Sequence, residues 1–167
     1  MIEFMLIGAP RSGTTWASNW LTTDTTLCMH GLSAKMHHTE WDSIKSNKML
    51  GVSDPAISKF HRWLNQHPAR KVIVHRDSKE VCESVGIHYV PNEYWELNKV
   101  DGMHVNWLDL FNNPKPIYEF LLQREFDQER HDMLKTFQIN TMAKKVKLDK
   151  SIVHRMIKEL QEENELS

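Results

Sequence analysis

The sequence of 167 residues is poor in cysteine, glycine and proline, and each shortage excludes a class of protein. Cys28 and Cys82 are too few for a disulfide framework and lack the CxxC spacing of a metal or redox site. Two isolated thiols therefore favour a reducing, cytoplasmic setting. Glycine and proline number six each, which excludes a disordered low-complexity chain.

Long apolar runs and an excess of charge of one sign are also absent. No stretch reaches the roughly 18 apolar residues of a membrane span. Residues 1–8 carry the acid Glu3 and no basic leader, which predicts a first strand rather than a secretory signal. The formal net charge is −1, so we expect neither a nucleic-acid nor a membrane partner. Hydrophobic residues make up 40%, enough for one core, and predict a single domain over residues 1–167.

Short apolar runs alternate with amphipathic stretches along the chain. Strands are predicted at 3–7, 27–30, 50–53, 71–75 and 102–108. Helices are predicted at 14–21, 57–64, 79–87, 114–122, 127–143 and 149–164, with Ser78 as the N-cap of the third. This alternation favours an α/β fold, a three-layer sandwich with a mostly parallel central sheet. The helical C-terminal third, from about residue 114, is expected to pack on it.

The loop after the first predicted strand has the glycine spacing of a phosphate-binding loop. Gly8 and Gly13 match the nucleotide-binding pattern G-x-x-x-x-G-K-[ST], but Thr14 stands where that pattern has lysine. The lysine normally reaches the β- and γ-phosphates, and Arg11 is the cation of this loop. The loop is therefore expected to bind one phosphate rather than a metal-bound triphosphate. Loops 8–13 and 76–78 both follow strands, so they are expected at one edge of the sheet.

Two segments resemble the donor-binding motifs of the PAPS-dependent P-loop sulfotransferase family. Residues 10–16, Pro-Arg-Ser-Gly-Thr-Thr-Trp, resemble the 5′-phosphosulfate loop P-K-S-G-T-T-W. Residues 76–84 resemble the 3′-phosphate element R-[DN]-P-x-[DE]-x-x-x-S, with the same spacing from arginine to serine, although Ser78 replaces the proline. Residues 105–114 are more loosely similar to the family's Y-E-D-L-x-x-D-P stretch. The family's late glycine-rich basic loop has no counterpart, and the basic run 144–150 is either its substitute or solvated helix surface.

This resemblance covers roughly residues 4–122 and implies a small, single-domain enzyme with a P-loop NTPase-like fold. Such an enzyme would transfer a sulfuryl group from 3′-phosphoadenosine 5′-phosphosulfate (PAPS) to a hydroxyl or amine. The acceptor would be a small molecule or carbohydrate, and 3′-phosphoadenosine 5′-phosphate (PAP) would be released. The resemblance implies no particular acceptor and no oligomeric state.

The resemblance also implies roles for individual residues. Arg11 matches the loop lysine that contacts the oxygen bridging phosphate and sulfuryl group. Trp16 matches an aromatic residue near the adenine, and Arg76 and Ser84 match the pair that holds the 3′-phosphate. The 5′-phosphate cradle corresponds to Ser12, Gly13, Thr14 and Thr15.

Two residues are candidates for the base that sulfuryl transfer to a hydroxyl requires. His30 follows the second predicted strand and is basic near neutral pH. Asp54 follows the third and lies 22 residues before Arg76, similar to the spacing of the base in the cytosolic branch of the family. Each also has a structural interpretation: His30 as a partly buried strand end and Asp54 as a cap.

Two other functions compete with the sulfotransferase. A P-loop nucleotide or nucleoside kinase would use ATP and Mg²⁺, and the lysine missing before Thr15 counts against it. A non-catalytic module would bind PAP or a related nucleotide without turnover. His37, His38 and Glu40 form a local cluster, but the adjacent histidines would project apart on a helix. The pair His37 and Glu40 then has no third ligand, so we expect no metal. The periodic position of Trp107 predicts that it packs in the core.

Overall fold

The computed structural model describes residues 1–90 and 92–136 and has an α/β fold. Its strands are β1 Phe4–Gly8, β2 Thr26–His30, β3 Met49–Asp54, β4 Arg70–His75 and β5 Met103–Asn106. They form one sheet in the order β2-β3-β1-β4-β5, in which all neighbours are parallel. Ile7 of the central strand β1 is in register with Asp54 of β3 and Ile73 of β4, so the three strands end at one edge. The predicted strands are therefore confirmed, and the mostly parallel sheet is wholly parallel.

Seven α-helices lie within the described residues. They are α1 Thr14–Trp20, α2 His61–Gln66, α3 Ser78–Val85, α4 Asn92–Glu96, α5 Asp109–Asn112, α6 Pro114–Leu122 and α7 Gln128–Thr136. Short 3₁₀ turns span Leu32–Ala34, His38–Ser43, Ile57–Phe60 and Leu97–Lys99. No helix in this part of the chain combines the length and apolar character needed to cross a membrane. The predicted helix 149–164, the end of the helix predicted over 127–143, and the basic run 144–150 lie outside the described residues.

Three details differ from the sequence predictions. The N-cap of α3 is Asp77 rather than Ser78, because the Asp77 carboxylate accepts the N–H groups of Lys79 and Glu80. The predicted helix 57–64 is a 3₁₀ turn followed by α2. β5 ends at Asn106, where the Asp109 carboxylate accepts the Asn106 N–H at 2.8 Å and turns the chain.

Helices cover both faces of the sheet, as in a three-layer sandwich. Successive side chains of a strand point to opposite faces, and every residue of β1 is buried. Met5 and Ile7 enter one core, and Phe4 and Leu6 enter the other. The first core includes Trp41, Ile57, Leu64 and Val81; the second includes Trp16, Trp20, Leu110, Ile117 and Tyr118. Burying each such side chain contributes about 2 kcal/mol, so both cores hold the ends of β1 and β4 firmly.

The connections of β1 and β4 leave a crevice between their carboxyl ends. β1 leads through α1 to β2 on one side of the sheet, whereas β4 leads through α3 to β5 on the other. Neighbouring strands whose connections diverge in this way form a topological switch point, where open α/β sheets bind ligands. The loops 9–13 and 76–77 follow these two strands and border the crevice.

Candidate functional site

The loop between β1 and α1 is held in a left-handed conformation at two residues. Gly13 has φ of 82° and Arg11 has φ of 67°. This region is easy for glycine and strained for a residue with a Cβ. At Gly13 a Cβ would also lie 3.1 Å from Cδ1 of Leu110, so both space and backbone favour glycine. The strain at Arg11 requires contacts that hold it, and the structure provides them.

Arg11 is bound through both its side chain and its main chain. Its Nε donates a hydrogen bond to Oγ of Ser84 in α3 at 3.0 Å, across 73 positions of sequence. Its carbonyl oxygen accepts a hydrogen bond from Nη1 of Arg76. The structure therefore brings together Arg11, Arg76 and Ser84, which come from the two resembling motifs.

Arg76, directly after β4, is oriented by three contacts. Besides the bond to Arg11, its Nε donates to Oε2 of Glu80 at 2.9 Å. Its guanidinium carbon lies 4.3 Å from the ring centroid of Trp107. Within the described part of the chain, the hydrogen bonds use two of the five N–H donors of a guanidinium. Donors therefore remain for an anionic ligand, and the guanidinium is oriented before that ligand arrives.

A cavity of about 140 Å³ lies where these residues meet. It is lined by Arg11, Gly13, Arg76, Ser84, Trp107 and Phe111. The volume is below the roughly 300–1,000 Å³ of a whole small-molecule site, so it suits one phosphate-sized part of a ligand. A larger cavity of about 550 Å³ lies at the opposite edge of the sheet, beside Glu3 and Leu50, and shares none of these residues.

The aromatic residues of the cavity differ from the sequence expectation. Trp16 is 2% exposed and packs against Phe111, with ring centroids 4.8 Å apart, so it supports that ring from behind. Trp107 packs against the second core, as expected, but it is only half-buried and also lines the cavity with Phe111. One signal could have identified Trp107: it directly follows β5, and the carboxyl ends of parallel strands carry ligand sites.

The hydroxyl of Ser12 is an unpaired polar group inside the loop. Ser12 is fully buried, and its Oγ has no hydrogen-bond partner among the described residues. A buried polar group left without a partner costs about 1–3 kcal/mol. The start of α1 beside it is anchored, because Oγ of Ser53 in β3 donates to the Thr14 carbonyl oxygen at 2.7 Å. A ligand that bonded to Ser12 would remove the cost of the unpaired hydroxyl.

His30, at the end of β2, contacts the same loop. Its Nε2 lies 3.1 Å from Oγ1 of Thr15 and 3.3 Å from Oγ1 of Thr14. Burial lowers the pKa of His30, and of the two nearby charges the Asp54 carboxylate raises it while Lys35 lowers it further. The ring is therefore neutral at pH 7 and able to accept a proton.

Asp54, the other base candidate, has both carboxylate oxygens engaged. Oδ1 accepts hydrogen bonds from Oγ of Ser33 at 2.8 Å and from the Ala56 N–H at 2.9 Å. Oδ2 accepts the Ser33 N–H at 2.8 Å, and the residue is fully buried. These bonds tie the end of β3 to the turn after β2 and support the capping interpretation. His30 is the candidate that contacts the loop.

The site thus combines two arginines, a set of loop hydroxyls, two aromatic rings and a neutral histidine at one edge of the sheet. This arrangement suits an anionic ligand that also carries a flat ring. Over residues 1–90 and 92–136, no three His, Cys, Asp or Glu side chains are grouped as a metal site would require. No protein-family model, curated protein or solved structure matches the chain.

Proposed function

We propose that the protein is a PAPS-dependent sulfotransferase with a P-loop NTPase-like fold. It would transfer a sulfuryl group to a hydroxyl or amine of a small-molecule or carbohydrate-type acceptor. The observation that carries this proposal is the convergence of Arg11, Arg76 and Ser84 on one cavity. If the two sequence resemblances were coincidental, nothing would bring Arg11 of the first motif within hydrogen-bond distance of Ser84 of the second, 73 positions away.

The position of the loop supports the P-loop assignment. The loop joins a buried central strand to a helix, which is the context that the nucleotide-binding pattern requires. It also borders the switch point between β1 and β4, the part of a doubly wound sheet that takes nucleotides.

The residues of the site divide between the two ends of the donor. Arg76 and Ser84 would bind the 3′-phosphate, because a guanidinium forms strong charge-assisted hydrogen bonds with phosphate oxygens. Trp107 and Phe111 offer flat surfaces for the base. Ser12, Gly13, Thr14 and Thr15 would surround the 5′-phosphate.

In the transfer step PAPS supplies an activated sulfuryl group, and the side chains manage the charge. His30 would take the proton of the acceptor while the acceptor oxygen or nitrogen forms its bond to sulfur. The bond from sulfur to the bridging oxygen breaks, and its electron pair remains on the 5′-phosphate of PAP. Arg11 would stabilise that charge.

The site offers little support for the kinase alternative. Thr14 occupies the position of the lysine that a triphosphate needs. The carboxylates that a Mg²⁺ ion would need at this edge are those of Asp54, at the end of β3, and Asp77, after β4. Asp54 instead accepts hydrogen bonds from Ser33 and Ala56, and Asp77 accepts them from the first turn of α3.

The test is a calorimetric titration with PAP, AMP and ATP-Mg²⁺. PAP and AMP differ only in the 3′-phosphate, so PAP should bind about 10- to 100-fold more tightly through charge-assisted hydrogen bonds. Arg76→Ala should abolish this preference. Arg62→Ala, which removes an exposed arginine from α2, should preserve it.

Each alternative has its own outcome. Tighter binding of ATP-Mg²⁺ than of PAP would contradict the proposal and favour the kinase. Equal binding of PAP and AMP would also contradict it. The non-catalytic module requires a second assay: PAP binding in the titration, together with no sulfuryl transfer from PAPS to any of a panel of hydroxyl and amine acceptors, would favour it.

A further inference from the structure

The phosphate loop lacks a positive charge at the position where the nucleotide-binding pattern supplies one. That position is Thr14. Arg11, three residues earlier, does not occupy that position, and its Nε is bound to Ser84. The side chain that approaches Thr14 from outside the loop is His30, whose Nε2 lies 3.3 Å from Oγ1 of Thr14 and 3.1 Å from Oγ1 of Thr15.

A second, independent observation points to an occupant of this loop. The Ser12 hydroxyl is fully buried and has no partner in the part of the chain that the structure describes. Ser12, Thr14 and Thr15 carry hydroxyls within four consecutive positions, and an imidazole nitrogen lies within hydrogen-bond distance of two of them. Hydroxyls and an imidazolium are suitable donors for a phosphate.

We infer that His30, in its protonated form, supplies the positive charge missing at position 14 when the 5′-phosphate is free, as in PAP, so that binding of PAP is coupled to uptake of a proton by His30. This inference rests on the proposed function, because it takes the loop as the 5′-phosphate site. It adds a proton-linked ligand residue on β2 to the loop residues that the resemblance implies.

The surroundings of His30 favour such a coupling. The charged groups that act on its ring are Asp54 from β3 and Lys35 beyond the turn Leu32–Ala34, and the Thr14 and Thr15 hydroxyls face it from α1. Burial is the largest influence and lowers the pKa of His30, so the ring is neutral in the free protein near pH 7. An anion close to the ring favours the charged form and raises that pKa.

The same coupling is consistent with the proposed transfer step. The 5′-phosphate of PAPS is joined to the sulfuryl group and carries one negative charge fewer than that of PAP, so His30 begins the step neutral. The proton that leaves the acceptor arrives on Nε2 of His30, and the electron pair of the broken sulfur–oxygen bond remains on the 5′-phosphate. A positive and a negative charge thus form next to each other. The imidazolium would take the part that lysine plays at position 14 of the common pattern.

The test uses PAP, which has no sulfuryl group and allows binding to be measured without turnover. Titrations at pH 7.5 in two buffers of different ionisation enthalpy report the protons taken up on binding. At this pH the phosphates, with a second pKa near 6, are almost fully dianionic. We expect uptake of about half to one proton, and an affinity that rises about tenfold from pH 8.5 to 7.0.

Two substitutions separate a charge from a merely structural role. His30→Gln should abolish the proton uptake and flatten the pH dependence. His30→Lys should bind PAP tightly without proton uptake, because lysine is already charged over this range. The control is His75→Gln. His75 precedes Arg76, which is assigned to the 3′-phosphate, and shares a hydrogen bond of 2.8 Å with His104. It would therefore be the histidine to take up a proton if the uptake came from the 3′-phosphate site. We expect this control to keep the uptake.

The nucleotide preference and the proton uptake test the proposed function and the role of His30 separately. Preference for PAP over AMP with no proton uptake would overturn the inference and leave the sulfotransferase proposal intact. Uptake that persists in His30→Gln would overturn it too. Absence of PAP binding would overturn both. If His30→Lys fails to fold by circular dichroism, the wild type and His30→Gln still decide the question.

Discussion

The guanidinium of Arg76 lies over the indole of Trp107, 4.3 Å from its ring centroid. The two residues directly follow the neighbouring strands β4 and β5, and the main-chain N–H of Trp107 donates to the His75 carbonyl oxygen at 2.8 Å. A cation–π contact of this kind contributes about 0.5–1 kcal/mol at exposed sites. It holds Arg76 beside the cavity before a ligand binds, which lowers the entropy cost of binding.

Replacing Trp107 should weaken nucleotide binding. Trp107→Ala removes an aromatic surface and the support of Arg76, so we expect affinity for both PAP and AMP to fall about tenfold, the size of a lost base stack. Trp107→Phe should retain most of the affinity. The measurement is calorimetric titration, with Trp95→Ala on α4 as the control because Trp95 is 56% exposed. Unchanged affinity in Trp107→Ala would exclude a role in binding.

Gly51 should be far less tolerant of alanine than Gly31. A Cβ at Gly51 of β3 would lie 2.0 to 2.5 Å from three ring atoms of Phe4, a fully buried residue, so the core must shift. We expect Gly51→Ala to lower the free energy of unfolding by about 3 kcal/mol. A Cβ at Gly31 would meet no atom within 4 Å. Gly31→Ala should therefore lower the free energy of unfolding only by the backbone strain of a φ of 60°, about 1 kcal/mol.

Urea denaturation measures both free energies. The double variant Phe4→Leu/Gly51→Ala should lose less than the sum of the two single changes, because the smaller side chain makes room for the new methyl group. Equal losses in Gly51→Ala and Gly31→Ala would show that the Phe4 ring does not restrict this position.

Stability should decrease as the pH falls from about 7 to 5. Burial lowers the pKa values of His30, His38 and His75 from the ordinary 6.5. Below pH 6.5 the unfolded chain therefore binds more protons than the folded one, and protonation favours unfolding. The loss of stability begins near pH 6.5 and grows until the pH falls below the lowered pKa values of these histidines in the folded state.

Urea denaturation at pH 7.5, 6.5 and 5.5 checks this dependence. His38→Gln, which removes one of the three groups, should make the decrease between pH 7.5 and 5.5 shallower. Stability that stays constant or rises on acidification would be incompatible with lowered pKa values for these three histidines.

The two cysteines should differ in reactivity. Cys28 on β2 is 5% exposed and burial raises the pKa of its thiol, whereas Cys82 on α3 is half-buried. A thiol reacts as its thiolate, so a disulfide reagent at pH 8 should label one thiol in the folded protein and both in urea. Cys82→Ser should remove the labelling of the folded state. Rapid labelling of two thiols without urea would contradict the burial of Cys28.

The site could be predicted only where a residue's role follows from its place at a strand end. Arg11 and Arg76 belong to loops after β1 and β4, and parallel strands carry their carboxyl ends to one edge. Trp107 meets the same condition, but its alternating pattern resembles that of a core residue. For His30 and Asp54 the order along the chain allowed either as base, because it does not reveal which oxygens of Asp54 are already bonded to Ser33 and Ala56.

The sequence by itself determined the local elements. β1 and β4 can be predicted from the sequence because strands covered on both faces are apolar almost throughout. α6 can be predicted from its periodic apolar face. Only the tertiary structure decided which side chains share the cavity. The bond from Arg11 to Ser84 depends on how β1 packs beside β4 and how α3 lies on the sheet. Likewise, the approach of His30 to Thr14 and Thr15 depends on α1 packing against β2. Distances between elements arise from the packing of whole faces, and no local spacing along the chain encodes them.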